Sequence, residues 1–443
     1  MVFEELNDES LVKFKESSKE INNHLQNERF YWIRIINKHS EHFQKFAKSW
    51  NKVIGKTPVE IVKEIAMTVE DYFNFSLFNT DDYQLHPLHV AAERGHLDLC
   101  KYIVEKTGNF NPNRGDGFTA LHFAAGQGHF EVYKFILNNA DDKNPVDNKG
   151  ETPYDRAVQN DRLDLARFIM ENLDDKNPRN DLYVGFTPLH LAARNGFYGM
   201  CLLIIDKIED KNPANDRGST PLHDAAEYGH LDVCQLIIDK IEDKNPGSVV
   251  GMTPLHYAAM HGHIGICKMI IDKIVDKNPV NDVGFTPLHF AANCGHMDIC
   301  QLIIDQIEDK NPGHDRGSTP LHIAANRGHM DIYQLIMDKI EDKNPVDNEG
   351  WTPLHEAADC GHLDICQLIM DKIEAKNPGN DEGWTPLHFA AHRGHMDICR
   401  MIASHLDDKN PRTNSGITPK DLMKEYVKNV QEEADDLCQN LFQ

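Results

Sequence analysis

The chain has 443 residues, 40% of them apolar, and carries 46 Lys/Arg against 70 Asp/Glu, a formal net charge of −24. This excludes a binder of phosphate backbones, which needs a basic stripe, and the longest purely apolar run, Met200–Ile205, excludes a membrane-spanning helix, so neither nucleic acid nor a membrane is an expected partner. The negative charge either keeps a long chain soluble or suits a basic partner.

Residues 1–79 do not repeat and are near neutral, with 11 Lys/Arg against 12 Asp/Glu. Glu4, Glu5, Asp8 and Glu9 at the start leave no apolar core for a secretion signal. Asp8 or Ser10 suits the cap of a helix running through Leu11, Phe14, Ile21 and Leu25. Helical periodicity continues over 30–36, 43–54 and 58–73, the last with Thr57 as cap and Pro58 at the first helical position. The simplest role for this segment is to cover the end of whatever follows it. Residues 2–22 and the trailing Phe30-Tyr31-Trp32 also resemble the latter two-thirds of an F-box, through Phe3, Leu6, Ser10-Leu11, Ser18-Lys19, Ile21 and Trp32. That resemblance implies a Skp-type adaptor gripped by Phe3, Leu6 and Leu11; the opening Leu-Pro-x-x-(Leu/Ile) helix of the motif would precede Met1. The segment therefore divides into an F-box-like part, 1–36, and a helical connector or cap, 37–82.

From residue 83 one phrase recurs. Thr-Pro-Leu-His or a near variant starts at His86, Thr119, Thr152, Thr187, Thr220, Thr253, Thr286, Thr319, Thr352, Thr385 and Thr418, always 33 residues apart except for 35 between Thr152 and Thr187. A fixed period of this size means a solenoid of stacked units rather than a globular core around a pocket. In the unit from Gly284, Thr286 suits a helix N-cap with Pro287 behind it, and Leu288, Ala291 and Ala292 give a narrow apolar face. Gly295 ends this helix, a second follows with Ile299, Cys300, Leu302 and Ile303 as its broad face, and 309–317 reads as a stop and a turn.

Gly-Phe-Thr-Pro-Leu-His-Phe-Ala-Ala-Asn-Cys-Gly-His at 284–296 resembles the ankyrin repeat signature, and the likeness extends over about 83–420, as ten helix pairs and a capping unit. It implies an all-α ankyrin solenoid of paired helices and β-hairpin-type fingers that binds other proteins through the fingers and the inner helices, as a monomer that catalyses nothing. Where the family has Gly after its second helix, this chain has Leu173, Ile208, Ile241, Ile274, Ile307, Ile340, Ile373 and Leu406, which implies an apolar residue tucked between units. The third repeat departs further, with Thr152-Pro153-Tyr154-Asp155, then Val158-Gln159-Asn160-Asp161 without the usual Gly-His, then a two-residue insertion within 181–184 that marks a bend or a site.

Of the 25 histidines, 17 fall at two frame positions, the fourth residue of the tetrapeptide and the Gly-His step. A histidine at the third helical position can bond back to the capping Thr, so these read as structural. Neither a Cys-x-x-Cys pair nor a His-Glu-x-x-His helix is present, and neither a metal nor another cofactor is expected. Cys100, Cys201, Cys234, Cys267, Cys300, Cys366 and Cys399 share one frame position and stack too far apart for disulfides, roughly 10 Å at helix-packing distance. They read as small buried residues of a cytoplasmic or nuclear protein. Cys294 and Cys360 read as free thiols, the only nucleophiles an enzymatic reading would have besides histidine.

Specificity is expected where the frame varies. One variable slot precedes the capping Thr, a second follows Ala-Ala, a third follows the tetrapeptide, and a fourth is the finger tip; the resemblance turns the first, second and fourth toward the groove. Aromatic and arginine side chains dominate interfaces. The candidate protein-binding residues are accordingly Phe118, Phe186, Tyr228, Phe285, Arg327, Trp351, Trp384 and Arg393, with Trp351 and Trp384 one repeat apart as a single ledge. The rings could alternatively pack on neighbouring fingers as structure. Residues 421–443 read as a capping helix, with Leu422, Met423, Tyr426, Val430 and Leu437 on its apolar face, and an acidic tail.

Overall fold

The computed structural model describes residues 86–430 apart from Tyr183. The F-box-like segment and connector, with Phe3, Leu6 and Leu11, lie outside the described residues, as does the acidic tail. The chain divides into two compact units, 1–166 and 167–443.

Three helix pairs make up the described part of the first unit and its boundary: α1 Pro87–Glu93 with α2 Leu97–Thr107, α3 Ala120–Gln127 with α4 Phe130–Asn139, and α5 Pro153–Gln159 with α6 Leu163–Glu171, within which the boundary falls. The second unit holds α7 Pro188–Arg194 with α8 Tyr198–Ile205, α9 Pro221–Tyr228 with α10 Leu231–Ile238, and α11 Pro254–Met260 with α12 Ile264–Lys273. It continues with α13 Pro287–Cys294 and α14 Met297–Ile304, α15 Pro320–Arg327 and α16 Met330–Met337, α17 Pro353–Cys360 and α18 Leu363–Lys372, α19 Pro386–Arg393 and α20 Met396–Ser404, and ends on α21 Pro419–Val430. Within each unit the first helix of a pair packs on its partner and on the first helix of the next pair.

The recurring phrase acts as a connector as well as a cap. In α11, Thr253 N–H and Oγ1 meet His256 Nδ1 at 3.1 and 2.9 Å, and Thr253 caps the helix in return. That places the ring proton on Nε2, which donates to Phe285 O, 29 residues on, at 3.1 Å. The second histidine class points the other way: His296 Nε2 donates to Met260 O, 36 residues back, at 3.1 Å. Its ring lies over Gly262, whose φ is +80° and where a Cβ would stand 2.7 Å from the imidazole, so Gly is required by both backbone and space.

The stop signal Asp243-Lys244-Asn245-Pro246 is equally specific. Asp243 Oδ1 accepts from Asn245 N–H (3.0 Å), and Asn245 Oδ1 accepts from Leu255 N–H (3.0 Å) at the start of α11. The Lys244 ammonium donates to Ile238 O (2.8 Å), the last carbonyl of α10, and to Ile241 O just beyond it, where a C-terminal Gly motif would otherwise close the helix. Ile241 and its equivalents are half-buried.

Between repeats the chain forms short turns rather than extended hairpins. Asn215 N–H bonds Ser219 O (2.8 Å) and Gly218 N–H bonds Asn215 O (2.9 Å); isolated bridges occur at Asn113/Thr119 and Asn180/Phe186, and no strand is present among the described residues. Successive fingers of the second unit are laddered, as by Val249 N–H to Arg217 O (3.0 Å) and Asp282 N–H to Val250 O (3.2 Å).

The irregular third repeat keeps the frame with substitutes. Asp155 replaces the histidine of the capping box, Asp161 takes the left-handed position at φ +52°, and Arg162 Nε donates to Gly126 O at 3.1 Å in the manner of a Gly-His ring. The two-residue insertion is absorbed in one finger: Asn180 N–H reaches Phe186 O (2.8 Å) over six residues instead of four, leaving Leu182 exposed and Val184 at φ +55°.

Buried Leu and Ala of the first helices and Ile, Val and Cys of the second form the core. Cys100, Cys201, Cys234, Cys267, Cys300, Cys366 and Cys399 are buried, and burial pushes the Cys267 thiol up to about 12, while Cys294 and Cys360 are exposed. Tyr133 and Tyr333 fill the same slot in their repeats, and Tyr333 Oη donates to Lys343 O at 3.0 Å.

Candidate partner-binding surface

The fingers present the first slot because their leading residue brackets the turn. Asp347 Oδ1 accepts from Glu349 N–H (2.9 Å) and Trp351 N–H (2.8 Å), and Asn380 Oδ1 accepts from Glu382 N–H (3.1 Å) and Trp384 N–H (2.8 Å). Each indole is thus fixed at the base of a rigid turn, directly before a buried capping Thr.

Trp351 and Trp384 are half-buried and meet through a residue of the third slot. The Phe389 ring lies 4.3 Å from Trp351 and 5.2 Å from Trp384, centroid to centroid, and His355 and His388 complete the cluster. The third slot therefore shares the ledge with the first. Arg327 and Arg393 are exposed but held: Arg327 Nε donates to Asn293 Oδ1 (2.9 Å), and Arg393 pairs with both oxygens of Asp359 (2.8 and 3.1 Å).

The remaining candidates also sit among partners. Phe285 is half-buried, stacked on His314 at 4.3 Å and near Phe290 at 5.8 Å. Phe186 is half-buried 5.2 Å from His190. Tyr228 is exposed, with the Arg194 guanidinium 4.8 Å over its ring and bonded to its hydroxyl. In the first unit Phe118 is half-buried, 5.5 Å from Phe123, with Arg156 over its face at 4.5 Å.

Two acids of the third slot escaped the list of candidates. Glu356 accepts from Asn326 Nδ2 at 2.7 Å. Asp224 is buried on α9, and its Oδ2 has no hydrogen-bond partner. Burial pushes the Asp224 carboxyl up to about 8, with Arg194 opposing and Glu227 adding to the shift. The sequence signal was an acid where other repeats place Phe, Tyr, Leu or Ile; its burial was not legible.

The tetrapeptide histidines are buried and neutral; burial lowers His256, His289 and His355 to about 4, partly offset by the carbonyl each bonds. No group of three or more His, Cys, Asp or Glu side chains converges to hold a metal among the described residues, and no helix among them is long and apolar enough to cross a membrane. The arrangement offers rigid rings, arginines and acids on fingers and first helices, a surface for recognition.

Comparison with family models matches the ankyrin repeats model of three copies over residues 88–181, 157–248, 241–313 and 302–379, and the single ankyrin repeat model over 382–414. Comparison with the curated proteins returns no match.

Proposed function

The chain belongs to the ankyrin-repeat family, whose arrays are protein–protein interaction modules, and we propose that this one recognises its partner through the first, second and third slots of the second unit. The observation that carries the proposal is the Trp351–Phe389–Trp384 cluster, three large rings on one face, none of them demanded by a frame that accepts Ser219, Ser318 and Ile323 at equivalent positions. Aromatic residues with nearby Arg are the usual energetic centre of an interface, and Arg393 is already held in place by Asp359. The candidates Phe186, Tyr228, Phe285 and Arg327 extend this face, and Phe118 belongs to the corresponding face of the first unit. The net charge of −24 favours a basic partner. The residues before 83 and after 420 are proposed to flank the array as connector and cap. Hydrogen-exchange protection of the full chain by a bound partner should fall on the fingers and first helices; protection confined to the second helices would overturn this reading.

The finer proposal is that residues 1–36 recruit a Skp-type adaptor through Phe3, Leu6 and Leu11, which would make the protein a substrate receptor of a cullin-type ubiquitin ligase. It rests on the F-box resemblance alone, an analogy of family. The competing reading is a scaffold or inhibitor without a ubiquitin link, in which this segment only covers the first repeat. Changing Phe3, Leu6 and Leu11 to Asp in the full chain should abolish adaptor binding; a wild-type chain that fails to bind the adaptor leaves the scaffold.

A further inference from the structure

The frame of the second unit is apolar at the residue after the tetrapeptide: Leu191, Tyr257, Phe290, Ile323 and Phe389 occupy it. Asp224 breaks that rule, and unlike Glu356 it has no compensating donor. It is 4% exposed, and Oδ2 is sealed from solvent without a hydrogen bond. An unpaired buried carboxyl costs stability that any of the apolar alternatives would avoid. Sites that break a local rule in this way are where binding function is expected.

The surroundings suit a cation. Tyr228 stands one turn along α9 and is 43% exposed, and its ring already carries a guanidinium, that of Arg194, on its face at 4.8 Å. Arg194 donates to the Tyr228 hydroxyl, not to Asp224, so the cation that opposes the upward shift of this carboxyl leaves its Oδ2 unsatisfied. Tyr257 of α11 is half-buried, edge-on to His223 at 5.9 Å, and its hydroxyl feels Asp224, Glu227 and Arg217. On the finger side, Ser219 sets a hydroxymethyl where Trp384 sets an indole beside Phe389.

The adjacent finger differs from the others as well. His223 Nε2 donates to Met252 O at 3.0 Å, which ties that finger to α9 beside Asp224. Its leading residue is Ser248, whose Oγ is buried and unpartnered, whereas Asn281 in the next finger brackets Val283 and Phe285 N–H. The tip is Val249-Val250, 65% and 54% exposed, an apolar pair on a turn without a side-chain bracket.

We propose that the surface where α9, α11 and the 248–252 finger come together is a subsite for one arginine or lysine side chain of a basic protein partner. Asp224 pairs with the cation, Tyr228 and Tyr257 form aromatic walls, and Val249-Val250 takes the apolar residues beside it. The negative net charge of the chain attracts such a segment, and cations are favoured over aromatic faces. In the free chain the carboxyl is largely protonated near neutral pH; with Glu227 adding to that and Arg194 opposing it, pairing releases a proton. This deepens the partner-binding reading and rests on it.

The test uses the full chain and random short peptides displayed on phage, selected at pH 7. Retained peptides should share one Arg or Lys. Changing that residue to Gln in synthetic peptides should lower affinity for the wild type by about tenfold or more, with little effect on affinity for Asp224→Asn. Calorimetry in buffers of different ionisation enthalpy should find proton release for the wild type and none for the variant. Asp224→Leu, which restores the frame residue of α7, should melt higher than wild type and lose the same cation dependence, so a folding defect cannot mimic the result. Peptides that bind with equal cation dependence to all three chains, or with none, overturn the subsite while leaving the partner-binding face standing. No retained peptide on any chain overturns both.

Discussion

His256 offers a sharp test of how the units are held together. Its ring accepts from Thr253 on one side, out of water, and donates to the half-buried Phe285 O in the next repeat on the other. His256→Ala leaves the Thr253 N–H buried without a partner, at about 1–3 kcal/mol, and removes one of two donors to Phe285 O, which keeps its bond from Asn281 N–H (2.9 Å), at about 0.5–1.5 kcal/mol, so a loss of about 2–4 kcal/mol is expected at pH 7. His256→Asp should keep the capping box, because Thr152–Asp155 and Thr418–Asp421 build the same box with a carboxylate. It has no second donor, so it should lose only the His256 bond to Phe285 O, about 0.5–1.5 kcal/mol, because that carbonyl keeps Asn281 N–H. The pH dependence then separates the chemistry. His256 in the folded chain sits at about 4, below its unfolded value, so the unfolded chain takes up a proton first and stability falls as pH drops from 6.5 to 4. For this one ring the loss across that window is about 3 kcal/mol. A buried Asp shifts the opposite way, as Asp155 does, raised to about 6 by burial, so the Asp variant should lose less on going from pH 7 to 5. Denaturant unfolding followed by helical circular dichroism at both pH values, with hydrogen exchange of α11, reads both effects. An Ala variant within about 0.5 kcal/mol of wild type, or equal pH slopes for wild type and Asp variant, would refute the reasoning.

Further outcomes follow from the same frame. Cys234, Cys267, Cys300 and Cys366 should resist thiol reagents in the native chain and react fully in denaturant, whereas Cys294 and Cys360 should react at once; fast native labelling of the first four contradicts their burial. Cys267→Val should be nearly neutral and Cys267→Asp should cost about 3 kcal/mol or more, by unfolding titration. Lys244→Met should destabilise by about 1 kcal/mol and speed exchange in the last turn of α10, because the carbonyls of Ile238 and Ile241 lose their donor; unchanged exchange there would assign those carbonyls to solvent.

The parts legible in the sequence were those a single repeat specifies by itself. Thr286-Pro287 announces a helix start, Gly295 its end, and Cys300 a small buried side chain, whichever unit is read. The histidine capping role was legible because Thr and His are three residues apart. What escaped depends on a residue one repeat away or on how a loop folds back. Lys244 looked like part of a polar stop; only the folded turn brings its ammonium onto the last carbonyl of α10. Asn245 reaches α11 ten residues on, a brace invisible to helical periodicity. Trp351 and Trp384 both pack on Phe389, a residue of the slot the family resemblance turned away from the groove. Arg327 and Arg393 each bond the preceding repeat, a partner 34 residues back that one repeat read alone does not show. That packing also revises what the rings do: their loss removes aromatic contacts worth about 0.5–1.5 kcal/mol each, so they contribute to stability as well as surface.

The most direct test of the central claim, recognition through the aromatic face, is the affinity of the Trp351→Ser/Trp384→Ser double variant of the full chain for a purified partner, measured by calorimetry beside its melting temperature. Both serines occur naturally in this slot, at Ser219 and Ser318, so the variant should fold with a moderately lower melting temperature. Its affinity should fall by about 2–4 kcal/mol, some 30- to 1,000-fold. Unchanged affinity in a chain that has lost stability would make both indoles purely structural and contradict the claim.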